Sequence, residues 1–202
     1  MARTRWFGDY DWNTIGMWVL ALLVLAALFY WFKSRSANTT SGVTNATLAA
    51  LDSAVANVLW RDHVHLTRSF VIETLTDYGG ASDTANRLLR NQDEIGANFA
   101  RTYGSQNGSQ YASLLREHIN LAAKLVGQVK NGEDITETNA AWYKNADDIG
   151  SFLMQVTGTD YRPHVREHLD LLTQEVTDLK GNDYSASITD LDRALNQVMG
   201  MP

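Results

Sequence analysis

Short sequence patterns recur along this chain, and they constrain its fold more than any other feature. A basic residue, an acidic residue and a histidine occur together three times, as Arg61-Asp62-His63, Arg116-Glu117-His118 and Arg166-Glu167-His168. A second pattern occurs twice between them, as Asn91-Gln92-Asp93-Glu94-Ile95-Gly96 and Asn145-Ala146-Asp147-Asp148-Ile149-Gly150. In both cases the aspartate follows the histidine by about 30 residues. This spacing predicts a helical hairpin as the repeating unit, with a different signature on each arm.

The spacing of apolar residues predicts an all-α fold. From residue 48 onward they recur every three or four positions, and Gly or Asn interrupts the pattern. Helices are predicted near 46–77, 83–103, 109–130, 136–156, 161–180 and 187–199. Pro163 suits a first helical turn, and Ser187 with Asp190 resembles a capping box. Because short turns join antiparallel neighbours, we expect an antiparallel helical bundle of repeated α-hairpins rather than an open solenoid.

The N-terminal region contains a long stretch without charge. No charged residue lies between Asp11 and Lys33, and residues 12–32 are mostly Leu, Ala, Val, Trp and Phe. At ~1.5 Å per residue this stretch covers about 30 Å, the thickness of the hydrocarbon core of a bilayer. A cleaved signal peptide has a shorter apolar run, of about 7–15 residues. We therefore predict a single transmembrane helix, with an anchor over 1–33, a polar linker over 34–47 and a helical bundle domain over 48–202. With two basic residues on each flank, the charges predict no preferred orientation.

Composition excludes several classes of protein. The chain has no cysteine, which excludes a disulfide scaffold, a thiolate zinc site and a cysteine nucleophile. Its 17 Lys and Arg against 23 Asp and Glu give a net charge of −6, so nucleic acid is not an expected partner. No phosphate-binding glycine loop and no setting for a nucleophilic serine is recognisable, so no enzymatic activity is predicted.

Helical spacing places polar members of the repeats on apolar stripes. His63 and His118 each share a stripe with apolar residues at the same offsets, and Asn91 and Asn145 face inward on the opposite arm. His168 departs from this pattern because its stripe includes His164 and Glu175, so the third copy is expected nearer an edge.

Two main interpretations of this polar layer stay open at this point, with an unidentified small ligand as a third. In the first, His63, His118, Asn91 and Asn145 form a hydrogen-bond network that fixes helix register, without a cofactor. In the second, a transition metal is bound by members of the set His63, His118, His168, Glu117, Asp93 and Asp147. Metal-binding helical bundles place Glu and His three residues apart, whereas here they are adjacent, about 100° apart around the helix. The spacing favours the network.

Five motifs together resemble a functionally unassigned family of small all-helical proteins of bacteria and large DNA viruses. These motifs are Leu59-Trp60-Arg61-Asp62-His63, Leu88-Leu89-Arg90-Asn91-Gln92, Leu114-Leu115-Arg116-Glu117-His118, Trp142-Tyr143-Lys144-Asn145-Ala146-Asp147 and Glu167-His168-Leu169. The resemblance covers roughly residues 57–200 and implies a helical fold without implying an activity. The apolar N-terminal stretch is not part of the family pattern.

The expected function is therefore a non-enzymatic, single-pass membrane protein with a structural or docking role in a membrane-associated assembly. The expected partners are the lipid bilayer and other proteins of that assembly. The resemblance adds a virion with an internal membrane as a setting, with capsid proteins as neighbours in a minor capsid role. The alternative is a membrane-tethered sensor that binds a metal or another ligand at the histidine layer.

Overall fold

The computed structural model describes the backbone from Trp12 to Pro202 and the side chains of residues 25–33 and 44–202. Within these residues the backbone is helical apart from short turns, and there is no strand. The helices are α1 (Trp12–Thr76), α2 (Ala81–Tyr103), α3 (Ser105–Asn131), α4 (Thr136–Thr157), α5 (Arg162–Lys180) and α6 (Tyr184–Gln197). The all-α prediction is confirmed.

Glycines in the left-handed region end two of these helices. Gly132 follows α3 with φ 72°, and Gly158 follows α4 with φ 81°. A Cβ would strain this conformation, so glycine marks where a helix stops. Pro163 lies in the first turn of α5, as predicted.

The predicted start of α6 was wrong. Asp183 is the N-cap, and its side chain accepts a hydrogen bond from Ala186 N at 3.0 Å. Ser187 therefore lies inside the helix, where it is fully buried. Because the Asp183 side chain already caps the N-terminus of α6, Ser187 and Asp190 do not form a capping box.

The chain divides into two compact units, residues 1–50 and 51–202. The backbone of residues 34–47 is helical, so the segment predicted as a linker does not interrupt the secondary structure. None of the helices, as far as their residues are described, has the length and apolar character that crossing a membrane requires. The predicted span, 12–32, lies mostly on residues whose side chains are outside the described set, and residues 1–11 lie outside it entirely.

Within residues 51–202, helices α2 and α3 pack antiparallel at close range. Gly96 on α2 lies against Gly108 on α3, while Arg116, further along α3, reaches back to the carbonyl of Leu89. A Cβ built on Gly96 would lie 2.7 Å from the Gly108 carbonyl oxygen. The two backbones therefore meet only because neither position carries a side chain.

Helices α4 and α5 repeat this arrangement. Arg162, at the start of α5, lies against Gly150 of α4, and Tyr143, nearer the start of α4, donates a hydrogen bond to Asp170 further along α5. The second glycine of the repeated pattern thus has the same role as the first.

The core of this unit combines aromatic and aliphatic side chains from all six helices. Trp142, Tyr111, Ile149, Leu153, Leu169 and Val71 are at most 1% exposed, and Phe99 packs between Tyr111 and Tyr103 with ring centroids 4.8 and 4.3 Å away. Burial of such side chains is the main term that holds the helices together.

Candidate functional site

The three repeated histidines meet in one layer of the core. His63 on α1 and His118 on α3 are 3% and 4% exposed, and His168 on α5 is partly exposed. The ring centroid of His168 lies 5.6 Å from that of His63 and 6.4 Å from that of His118. His168 is thus more exposed than the other two and still shares their layer.

An amide side chain anchors each histidine-bearing helix to the helix that follows it. Asn91 Nδ2 donates to the Leu59 carbonyl at 3.0 Å, Asn145 Nδ2 to the Leu114 carbonyl at 3.2 Å, and Gln197 Nε2 to the His164 carbonyl at 2.6 Å. In each case the acceptor lies four residues before the repeated histidine. The same contact therefore occurs three times, in α1–α2, α3–α4 and α5–α6.

The helix itself makes this acceptor available. A helical carbonyl accepts the N–H of the residue four positions later, which here is the histidine, and its second lone pair is left unused. The neighbouring helix occupies that lone pair with a side-chain amide. Sliding one helix by a residue would break the bond, so the amide fixes the register of the pair.

The rings of His63 and His118 make opposite hydrogen bonds. Asn145 Oδ1 can only accept, so His118 Nδ1, at 2.9 Å, carries the proton. Gln92 Nε2 can only donate, so His63 Nδ1, at 3.2 Å, is unprotonated and its proton lies on Nε2. Gln92 also donates to the Leu88 carbonyl at 2.9 Å and to Asn91 Oδ1 at 3.1 Å, so three acceptors share two N–H groups.

Several polar atoms of the layer have no hydrogen-bond partner among the described residues. They are His168 Nδ1, Gln92 Oε1 and Gln197 Oε1, and all three are buried. Two small cavities, of about 20 and 30 Å³, are both lined by the three histidines. Each is large enough for one water molecule, which is the usual partner of such atoms.

Burial keeps the histidines neutral. It lowers the pKa of His118 to about 4, against a weaker opposing effect of the bond to Asn145, and lowers the pKa of His63 well below its usual value, with His168 and His118 adding repulsion. The pKa of His168 is lowered to about 3, chiefly by burial and in addition by repulsion from His118 and His164, while Gln197 opposes the shift. At neutral pH the layer therefore holds three uncharged imidazoles.

The acidic residues proposed as metal ligands lie elsewhere. Asp93 pairs with Arg116 at 2.8 Å on the surface, Asp147 accepts two hydrogen bonds from Arg166 at 2.7 and 2.6 Å, and Glu117 is exposed. Each acid is directed away from the core because it adjoins an inward-facing residue on its helix. No group of three or more His, Asp or Glu in the described part of the chain could hold a metal ion. Of the six proposed ligands, only the three histidines come together.

Sequence reasoning missed the two glutamines of the layer. Gln197 follows His168 by 29 residues, close to the 28 and 27 residues that separate His63 from Asn91 and His118 from Asn145. The signal was an amide at this distance after each histidine. In the third copy Asn196 and Gln197 follow His168 by 28 and 29 residues, and the glutamine rather than the asparagine makes the contact.

A buried ion pair was also missed. Arg68 on α1 pairs with Glu175 on α5, and it donates to the Ser187 carbonyl at 3.1 Å and to Ser187 Oγ at 3.2 Å. Burial raises the pKa of Glu175, and Arg68 opposes the rise. The pair crosslinks α1, α5 and α6 beside the layer, and each of its groups has a partner, as a buried charge requires.

We compared the chain with models of protein families, with curated proteins and with solved structures, and none of the three comparisons gave a significant match.

Proposed function

We propose that this chain is a non-enzymatic membrane protein whose helical bundle has a structural or docking role in a membrane-associated assembly. One observation carries the proposal. The repeats are where chemistry would be sought first, and their asparagines, glycines and arginine–aspartate pairs are used in contacts between the helices of this chain.

Corresponding residues make the same kinds of contact in both copies of the second pattern. The asparagine, Asn91 or Asn145, bonds a carbonyl of the preceding helix. The aspartate two positions later pairs on the surface with the arginine of the next triplet. The glycine, Gly96 or Gly150, admits the next helix. A motif whose asparagine, first aspartate and glycine each contact a neighbouring helix supports a scaffold rather than a reactive centre.

Attachment to a membrane is proposed from the apolar stretch over 12–32. Among its described residues, the side chains of Leu25, Leu28, Phe29, Tyr30, Trp31 and Phe32 are between 53% and 77% exposed. A continuous apolar surface of this kind is unfavourable in water and favourable in lipid. A cluster of aromatic residues at the end of the stretch supports a position at the headgroup boundary.

Alkaline carbonate extraction of membranes from cells that express the full chain tests the anchor. We expect the wild type to stay in the membrane pellet and the double variant Leu22→Arg/Ala26→Arg to move to the supernatant. Each arginine at the centre of a span costs about 2.5–3.5 kcal/mol on insertion. The control Thr39→Arg/Val43→Arg adds the same charge outside 12–32 and should stay in the pellet. Full extraction of the wild type would remove the anchor from the proposal.

The assembly requires its own test. Crosslinking of intact membranes followed by mass spectrometry should join lysines of the bundle to other proteins. Crosslinks within the chain alone would contradict a docking role. The virion setting comes from the family resemblance, and mass spectrometry of purified particles checks it, because absence of the chain from such particles would exclude it.

A second candidate function is a tethered sensor that binds a metal or small ligand at the histidine layer. The convergence of three histidines, with His168 Nδ1 unpartnered among the described residues, favours a ligand site there, and it favours a small ligand over a metal because no described group of His, Asp or Glu could hold a metal ion. Metal analysis of the purified chain after dialysis distinguishes the two. The scaffold predicts trace metal only, whereas stoichiometric zinc, iron or manganese would favour the sensor.

A further inference from the structure

A cavity at one end of the bundle lies outside the histidine layer. It has a volume of about 220 Å³ and is formed by the last turns of α1, α3 and α5 and the start of α6. Its charged lining residues are Arg68, Lys130 and Lys180, and its apolar ones are Ile72, Leu75 and Leu179. No carboxylate is among the described residues that line it.

The three cations differ in how far their charge is already compensated. Arg68 is directed to Glu175 and Ser187, and Lys130 pairs with Asp77, which is 80% exposed. Lys180 Nζ donates to the Val129 carbonyl at 2.5 Å and forms no ion pair with any described residue. An ammonium has three N–H donors, so Lys180 has two left for a ligand. The cavity therefore carries uncompensated positive charge.

The apolar side chains define the rest of the ligand. Leu75, Ile72 and Leu179 supply an aliphatic wall, and Tyr184, which is 60% exposed, stands at the edge with its hydroxyl bonded to Asn182. A volume of about 220 Å³ is below the range of about 300–1,000 Å³ that is usual for drug-sized ligands. The space suits one substituted ring or a short chain.

We propose that this cavity binds a small organic monoanion, with its acidic group at Lys180 and Lys130 and its apolar part against Leu75, Ile72 and Leu179. This site does not depend on the scaffold role or on the membrane anchor. A different role for the two lysines makes a different prediction. Both lie in the last turn of a helix, where a cation offsets the helix dipole without any ligand.

Binding of 4-fluorobenzenesulfonate, followed by ¹⁹F NMR, tests the site. The probe is a monoanion at all working pH values, and its single ring matches the cavity. The full chain is used in nanodiscs of zwitterionic lipid, with empty nanodiscs as the blank. We expect saturable binding by the wild type above the blank. The neutral analogue 4-fluorobenzenesulfonamide should bind about threefold to fivefold more weakly, the effect of losing one partly exposed ion pair.

Variants locate the site. Lys180→Met and Lys130→Met keep the aliphatic stem and remove the charge, so each should weaken probe binding about threefold to fivefold. Lys124→Met is the matched control, because Lys124 is exposed on α3 away from the cavity lining, and its affinity should equal that of the wild type. Circular dichroism verifies that each variant is folded.

Three results would overturn the proposal. The first is no saturable binding by the wild type, which is what helix-dipole compensation alone predicts. The second is equal affinity for the sulfonamide, which would indicate a site without charge selection. The third is an equal loss in Lys124→Met, which would indicate general attraction to the protein surface. None of these results bears on the scaffold role.

Discussion

The hairpins α1–α2 and α3–α4 are built on the same plan and differ in one detail of their polar layer. In both, an asparagine bonds a carbonyl four residues before a buried histidine. In α3–α4 the same asparagine also accepts from the histidine ring, whereas in α1–α2 a glutamine lies between them and donates to the ring. The proton of the imidazole is therefore on Nδ1 in His118 and on Nε2 in His63.

A single position explains this difference. The residue after the asparagine is Gln92 in the first copy and Ala146 in the second. Gln92 occupies Asn91 Oδ1 as an acceptor and takes over the contact with His63. Alanine cannot do either, so Asn145 faces His118 directly. Replacing glutamine by alanine beside the asparagine therefore leaves the amide anchor in place, but it changes which ring nitrogen of the histidine carries the proton.

The third hairpin, α5–α6, keeps the anchor and differs at the ring. Gln197 bonds the His164 carbonyl at 2.6 Å, while His168 Nδ1 has no partner among the described residues. The element common to all three hairpins is therefore the bond that fixes helix register. The bond to the ring is the variable element.

Acidification should produce the largest effect on stability. The folded-state pKa values of His63, His118 and His168 lie below the unfolded value of about 6.5, so the folded chain binds fewer protons. Their contribution is fully present above pH ~6.5 and is lost as the pH falls toward the folded values. Each histidine contributes a slope of about 1.4 kcal/mol per pH unit, or about 4 kcal/mol for three.

Unfolding free energies of the full chain in detergent between pH 6.5 and 5 measure this slope. The variant His118→Leu should reduce it by about a third, since one of three protons is removed. The raised pKa values of Glu175 and Asp190 act in the opposite direction at lower pH, because the folded chain binds those protons first. An unchanged slope in His118→Leu would mean that the layer does not hold neutral imidazoles.

Loss of an amide anchor should have the next largest effect. Asn145→Leu leaves the buried His118 N–H without an acceptor, and an unsatisfied buried group costs about 1–3 kcal/mol. Gln197→Leu should cost less than Asn145→Leu, because Gln197 is partly exposed. Asn196→Leu, one residue away and exposed, is the control. Thermal unfolding by circular dichroism ranks the three, and a larger loss in Gln197→Leu would contradict the comparison.

Substitution of either glycine of the second pattern should destabilise the chain to a similar extent. A Cβ on Gly96 would lie 2.6 Å from Ala112 Cβ, and one on Gly150 would lie 2.5 Å from Arg162 N. Each Gly→Ala change should destabilise the chain by about 1–3 kcal/mol through overpacking. Gly127→Ala, in open space inside α3, should stabilise it by about 0.5–1 kcal/mol. In thermal unfolding we expect a lower Tm for Gly96→Ala and Gly150→Ala and a higher Tm for Gly127→Ala. A higher Tm in all three variants would show that the helices can separate at low cost.

Surface ion pairs between hairpins should have the smallest effect. Arg166 binds Asp147 through two nitrogens, and the pairing holds the pKa of Asp147 below its usual value, whereas Arg116 binds Asp93 through one. Both pairs are exposed, so we expect a small fall in Tm for Arg166→Ala and a smaller one for Arg116→Ala. Both differences should vanish at about 1 M salt, where the Debye length is about 3 Å. Persistence at high salt would indicate that the arginines act through packing.

The sequence predicted the parts of the fold that follow from helical periodicity. The inward positions of His63, His118, Asn91 and Asn145 could be read from their stripes, because spacing in sequence fixes the side of a helix. The convergence of His168 with them depends on how three hairpins pack, which no local pattern records. The helical backbone of residues 34–47 was unpredicted as well, because that segment has no apolar periodicity.

Two hairpins with the same packing plan carry the imidazole proton on different ring nitrogens, and the tautomers of His63 and His118 test this most directly. Long-range ¹H–¹⁵N NMR of the full chain with ¹⁵N-labelled histidine distinguishes a protonated ring nitrogen from an unprotonated one. At pH 7 we predict that His118 carries its proton on Nδ1 and His63 on Nε2, both uncharged. The same tautomer in both rings, or a charged imidazolium in either, would contradict the account.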